Sequence, residues 1–199
     1  GPWIGAELDN QGTVAVAQAL MLSRASAAHV NSGTINVTGG TFTVSQSGTT
    51  PSFTNASTGT IAVSAGRIFA VSGGTLDLST GLVSGTTGTL ATSGVTPLLF
   101  STATVQTQLT LNAPTIPGTS TVPVGDSLVL VSGSPTMTLV NNGRLVLMGT
   151  PTVTGPVTTG LTSVIEVRGS AAYSTANATI TSGFTNNGTI TVTDINAAY

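Results

Sequence analysis

The residues able to do chemistry in this 199-residue chain are few and far apart. His29 is the single histidine, and there is no cysteine. Nucleophilic or acid–base catalysis needs an activated group within hydrogen-bond reach of its partner, and no serine and acid are placed beside His29 by spacing, so His29 is expected to be structural. The acids are Glu7, Asp9, Asp77, Asp126, Glu166 and Asp194. Polysaccharide cleavage needs carboxyls converging in one groove, whereas only Glu7 and Asp9 lie close together, near one terminus, where a solvated edge is expected. No EF-hand loop or glycine–aspartate calcium repeat is present. No catalytic residue, no metal and no cofactor is therefore expected, and the chain reads as non-enzymatic.

The charge balance excludes further classes. Arg24, Arg67, Arg144 and Arg168 are the only basic residues besides His29, against six acids, for a net charge of −2. Tracking a phosphate backbone takes clustered Lys and Arg, so nucleic acid is not an expected partner. With 39% apolar residues and only 5% charged, the chain has the composition of a folded protein and not of a charge-rich disordered one. No apolar run reaches the roughly 20 residues that cross a bilayer, so membrane insertion is not expected. Gly1 and Pro2 are read as a tag remnant, and 3–199 as a single domain, a fragment of a longer protein.

What recurs is an amide followed by a short strand. Asn10-Gln11-Gly12-Thr13-Val14-Ala15-Val16 is repeated as Asn31-Ser32-Gly33-Thr34-Ile35-Asn36-Val37 and, with two extra residues, from Asn55 to Val63. Further copies begin at Asn141 and Asn186. Their spacing fits a unit of about 22 residues, and a fixed period in that range marks a solenoid or array. Within a unit, glycines punctuate alternating segments such as Thr60 to Val63, Arg67 to Val71 and Thr75 to Leu78. The elements that position the asparagines are thus short strands, three per unit. The fold expected is all-β: a parallel β-helix, or three-sided β-solenoid, with coils stacked about 4.8 Å apart. Stacked Asn10, Asn31, Asn55, Asn141 and Asn186 would form an amide ladder. A Pro-rich stretch at 94–126 is expected to be irregular, as distorted coils or a loop leaving the rod. β-Sandwich modules are the alternative, disfavoured by 4% aromatic content and the lack of a Cys pair.

These Asn-x-Gly-Thr-Ile-x-Val copies and the lysine-free Thr/Gly/Val/Asn composition resemble the β-helical shafts of secreted bacterial proteins, namely filamentous-haemagglutinin-type adhesins and autotransporter passenger domains. The resemblance implies a structural or adhesive segment, extracellular or at the cell surface, with a host-surface or matrix glycan or protein as partner. A glycan-binding or ice-binding module is the alternative. The ice reading needs aligned outward threonines, but at the repeated motif these positions read Thr13/Ala15, Thr34/Asn36, Thr60/Ala62, Arg144/Val146 and Thr189/Thr191. Glycosylation sequons at Asn36, Asn55, Asn177 and Asn187 carry little weight in so Asn- and Thr-rich a chain.

Two geometric expectations complete the reading. Arg144 and Glu166 are one repeat apart at outward positions, so they should stand one above the other as an exposed pair, with Arg168 competing. Unpaired edges at the two ends should drive self-association, with Trp3 and Ile4 contributing to a cap at one end and Ala197, Ala198 and Tyr199 too short to cap the other.

Overall fold

A computed structural model describes residues 1–100, 104–112, 115–173 and 175–195. It is all-β: among the described residues every regular element is a strand, and every pairing is parallel. The strands wind into a β-solenoid of about 8 turns of roughly 22 residues.

An edge strand, β1 (Trp3–Ile4), precedes the first coil, which comprises β2 (Asp9–Asn10), β3 (Thr13–Val16) and β4 (Leu20–Ala25). The second is β5 (Ala28–Asn31), β6 (Thr34–Val37) and β7 (Thr41–Ser47), and the third β8 (Ser52–Asn55), β9 (Thr60–Val63) and β10 (Ile68–Ser72). The fourth is β11 (Thr75–Leu78) and β12 (Leu82–Ser93), the fifth β13 (Leu98–Phe100) and β14 (Val105–Asn112). Then come β15 (Thr115–Val122) with β16 (Ser127–Gly133), β17 (Thr136–Asn141) with β18 (Arg144–Val153), and β19 (Val157–Thr159) with β20 (Val164–Gly169). The last are β21 (Thr179–Ile180), β22 (Phe184–Thr185) and β23 (Thr189–Asp194).

Three strands per coil hold only in the first part of the rod. In the fourth coil β12 runs through two faces, with a register shift between Gly85 and Thr89. A Cβ at Gly85 or Gly88 would fall on the Val63 carbonyl oxygen, so glycine lets the corner collapse against the coil before it. From β12 to β18 one strand serves where β9 and β10 were separate. Among the described residues the Pro-rich stretch stays on the rod: β13 pairs with β11, β14 with β12 and β16, and β15 with β17, with register shifts at Leu109/Thr110 and Thr115/Thr119. Pro114 lies outside the described residues. Residues 14–22 lie in β3 and the start of β4, where Val14 and Val16 stack under Ile35 and Val37.

Alternation fills the core with rows of equivalent side chains. Ile35 and Ile61 stack on one face, Phe42 and Phe69 on the next, with ring centroids 5.6 Å apart and planes 13° from parallel. Phe53 meets Phe69 across the interior, also at 5.6 Å but tilted by 56°. Such aromatic pairs contribute about 0.5–1.5 kcal/mol each beyond their area burial. Pro2, set aside as a tag remnant, joins the first rung, its carbonyl accepting the Met21 N–H. Trp3 and Ile4 form a short edge strand that covers the β4 edge of the first coil while their side chains remain 66% and 44% exposed. Ala197, Ala198 and Tyr199 lie outside the described residues.

Candidate functional site

The asparagine positions fall in one column. Asn10 donates Nδ2–H to Asn31 Oδ1 at 2.6 Å, and Asn31 donates onward to Asn55 Oδ1 at 2.7 Å. Each sits at a strand end where the chain turns, so its amide also ties down carbonyls of the next segment: Asn55 Nδ2 donates to Leu82 O at 3.1 Å. Above Asn55 the register places Leu78 and then Phe100, and the column turns apolar. Asn141 stands beside Val122, with Nδ2 donating to Val164 O at 2.9 Å and Oδ1 buried without a partner. Asn186 accepts from Thr159 Oγ1 at 3.1 Å. The expected five-member ladder is therefore a three-member ladder plus two separate amides, because apolar side chains occupy the middle of the column and Thr159 stands between Asn141 and Asn186.

His29 lies in the core row of sheet strands β5, β8 and β11, beside Phe53 at 6.4 Å between ring centroids. Its Nδ1 accepts the Leu8 N–H at 3.1 Å, which assigns the proton of the neutral ring to Nε2. Burial lowers its pKa, opposed by the Glu7 carboxylate. Glu7 itself accepts the Ala28 N–H at 2.9 Å, and Asp9 accepts from Gln11 at 3.2 Å, so both are exposed and tied to local structure.

The densest polar cluster spans the last three coils. Glu166 receives Arg144 through Nε at 2.9 Å and also through Nη2. Arg168 adds Nε at 2.7 Å and Nη2 at 2.8 Å, and Thr193 Oγ1 donates at 2.7 Å. Glu166 is only 4% exposed, because β18 and β23 flank it and both arginines fold over it. The Arg168 bonds, with those from Thr193 and Arg144, outweigh burial and hold the carboxyl at about 2; in return Glu166 raises the Arg168 pKa. A carboxylate so saturated with donors is a fixed anion that clamps three coils together. The Arg144–Glu166 pair forms as expected, but its register does not: Arg144 faces Val164, and Glu166 faces Val146. Nor is the pair fully exposed. The coil is two residues shorter than the average period because its corner has been absorbed.

A groove of about 550 Å³ runs along the outer face. Its floor is Ile68, Thr89, Gln108 and Met148, with walls at Gly66 and Thr87 on one side and 170–173 on the other. That second wall, carrying Tyr173, leaves the rod after β20 and is tied back where Asn177 N–H donates to Gly149 O at 2.7 Å. No spacing in the sequence marked it; the excess length of the last unit was the available signal. Among the described residues no three His, Asp or Glu side chains gather as a metal site, and no helix is long and apolar enough to cross a membrane. Asn55 is fully buried, so its sequon is closed to modification in the folded chain.

Fold and surface together define a parallel β-solenoid with an outer-face groove. The chain matches no protein-family model, no curated protein and no solved structure.

Proposed function

We propose that this chain is a shaft segment of a secreted or surface-exposed bacterial protein, of the kind its repeats resemble, acting as a rigid, non-enzymatic spacer or adhesive stalk. The observation that carries this reading is the continuous parallel stack from β1 to β23, in which successive coils share core rows from one end to the other. A rod of eight or so steps of about 4.8 Å projects whatever it carries by roughly 40 Å. Its outward positions are mostly small and uncharged, and the Arg144–Glu166–Arg168–Thr193 cluster joins coils. The test is surface labelling: antiserum raised against the chain should label intact cells of the source organism. Labelling only after permeabilisation would overturn the surface assignment, and release of new reducing ends from any polysaccharide would overturn the non-enzymatic one.

A second reading, neutral-glycan binding, is favoured by the groove alone. Its named lining has no charged side chain, and it offers the Tyr173 ring, the Gln108 amide and the Thr87 and Thr89 hydroxyls, the mix of an aromatic face and neutral hydrogen-bonding groups that a sugar can use. Titration with neutral oligosaccharides should then be weakened by Tyr173→Ala. Ice binding has less support: Thr13, Thr34 and Thr60 do align, but Leu82 follows, and Thr41 and Thr43 give way to Ile68 and Ala70.

A further inference from the structure

We propose that Asn142 is a modification site, losing its side-chain amide to attack by the Gly143 backbone nitrogen in the folded chain, while the equivalent Asn187 is held back by Thr159. An asparagine amide is open to such attack where glycine follows, since no side chain shields the glycine N–H and its backbone bends freely. The chain has two such pairs, Asn142-Gly143 and Asn187-Gly188, each the end of an Asn-Asn-Gly turn. The turns are equivalent in the rod. Asn141 lies beside Val122 of the preceding coil, and Asn186 beside Thr159, since Thr158 faces Thr185.

What differs is the residue of the preceding coil. Thr159 holds the later turn at three points: its Oγ1 accepts the Asn187 N–H at 2.7 Å and the Gly188 N–H at 3.2 Å, and its carbonyl accepts Asn187 Nδ2–H at 3.0 Å. The attacking nitrogen and the amide it must reach are both occupied. Val122 has no hydroxyl and offers the earlier turn only its carbonyl, which accepts the Asn142 N–H at 2.8 Å. Among the described residues no hydrogen bond engages the Gly143 N–H or the Asn142 side chain. On the following coil Gly160 faces that side chain; a Cβ there would come within 2.7 Å of Asn142 Oδ1, so glycine leaves the amide uncrowded. Exposure alone would rank the two sites the other way, because Asn187 is exposed and Asn142 half-buried.

In the reaction the Gly143 nitrogen bonds to Asn142 Cγ and the Cγ–Nδ2 bond breaks. Ammonia leaves carrying the proton from that nitrogen, and a succinimide ring closes. Water then opens the ring to aspartate or isoaspartate, so each event adds one carboxylate to the corner. The inference does not rest on the surface-protein reading, and either can fail alone.

Incubating the folded chain in mildly alkaline buffer and mapping its peptides by mass spectrometry provides the test. Deamidation at Asn142 should outpace that at Asn187 by about fivefold or more, the factor set by the net worth of one hydrogen bond. In denaturant the two sites should react at the same rate. Exchanging the preceding-coil residues should exchange the outcome: Val122→Thr slows Asn142, and Thr159→Val raises Asn187 to the Asn142 rate, each by about fivefold. The two variants are independent, so one suffices where the other does not fold. Equal or faster reaction at Asn187 in the folded parent chain, no reaction there at Asn142, the same gap in denaturant, or an Asn187 unmoved by Thr159→Val would each overturn the proposal.

Discussion

Arg144 bonds Glu166 on the next coil although the residue facing it in register is Val164. The pair is diagonal, two residues off the perpendicular, and an arginine is long enough to span that offset. Such a contact ties neighbouring coils together and resists sliding between them, and Thr193 extends the tie to a third coil.

Removing the charge at that junction should cost stability in a pH-dependent way. Glu166 is held at about 2 against an ordinary value of 4.5, so its contribution is complete above 4.5 and is lost as pH falls through about 2. Glu166→Gln should lose on the order of 2–3 kcal/mol at neutral pH. Denaturant titrations across that window should slope for the parent chain, while the variant lacks this component.

His29 acts in a separate window. Its folded pKa lies below 6.5, so the folded state takes up a proton less readily than the unfolded chain; stability is complete above 6.5 and declines as pH falls through the folded value. His29→Phe should abolish that decline, at a fixed cost of about 1 kcal/mol for the Leu8 N–H it leaves without an acceptor. Melting temperatures from pH 8 to pH 5, taken for both proteins, check this.

The asparagine column predicts opposite responses to similar substitutions. Asn31→Ala strands the amides of Asn10 and Asn55 and should cost about 2 kcal/mol. Asn141→Leu gives up the bond to Val164 O but also removes a buried oxygen that has no partner and sets an apolar side chain beside Val122, so its net effect should stay within about 1 kcal/mol. Equilibrium unfolding of the two variants decides this; equal losses would contradict it.

Two glycines should behave as differently. Gly133 has φ +96°, and a Cβ there would fall on the Leu111 carbonyl oxygen, whereas a Cβ at Gly12 would meet nothing within 4 Å. Gly133→Ala should cost about 3 kcal/mol or more and Gly12→Ala little, as read by thermal melts.

Much of the fold was legible because alternation and glycine punctuation act locally. Thr34 to Val37, Thr60 to Val63, Thr75 to Leu78 and Leu98 to Phe100 are strands with the bounds their patterns suggest. What the spacing could not carry is the long-range adjustment of coil length. Arg144 pairs with Val164, 20 residues on, so an average period of about 22 misplaces Glu166 by two residues, and it overlooks Leu78 and Phe100 in the asparagine column. The groove depends on 170–173 folding back over an outer face far away in sequence, which no local pattern encodes.

The stacked rod itself is tested most directly by spin-label distances from one fixed coil. With one label at Thr13 and the second moved to Ser127, Val164 and Thr189 in turn, electron-resonance distances should lengthen in that order, near 24, 34 and 38 Å, at about 4.8 Å per coil. Distances that cluster around one value, or fall out of sequence order, would contradict a solenoid and return the chain to a sandwich of packed sheets.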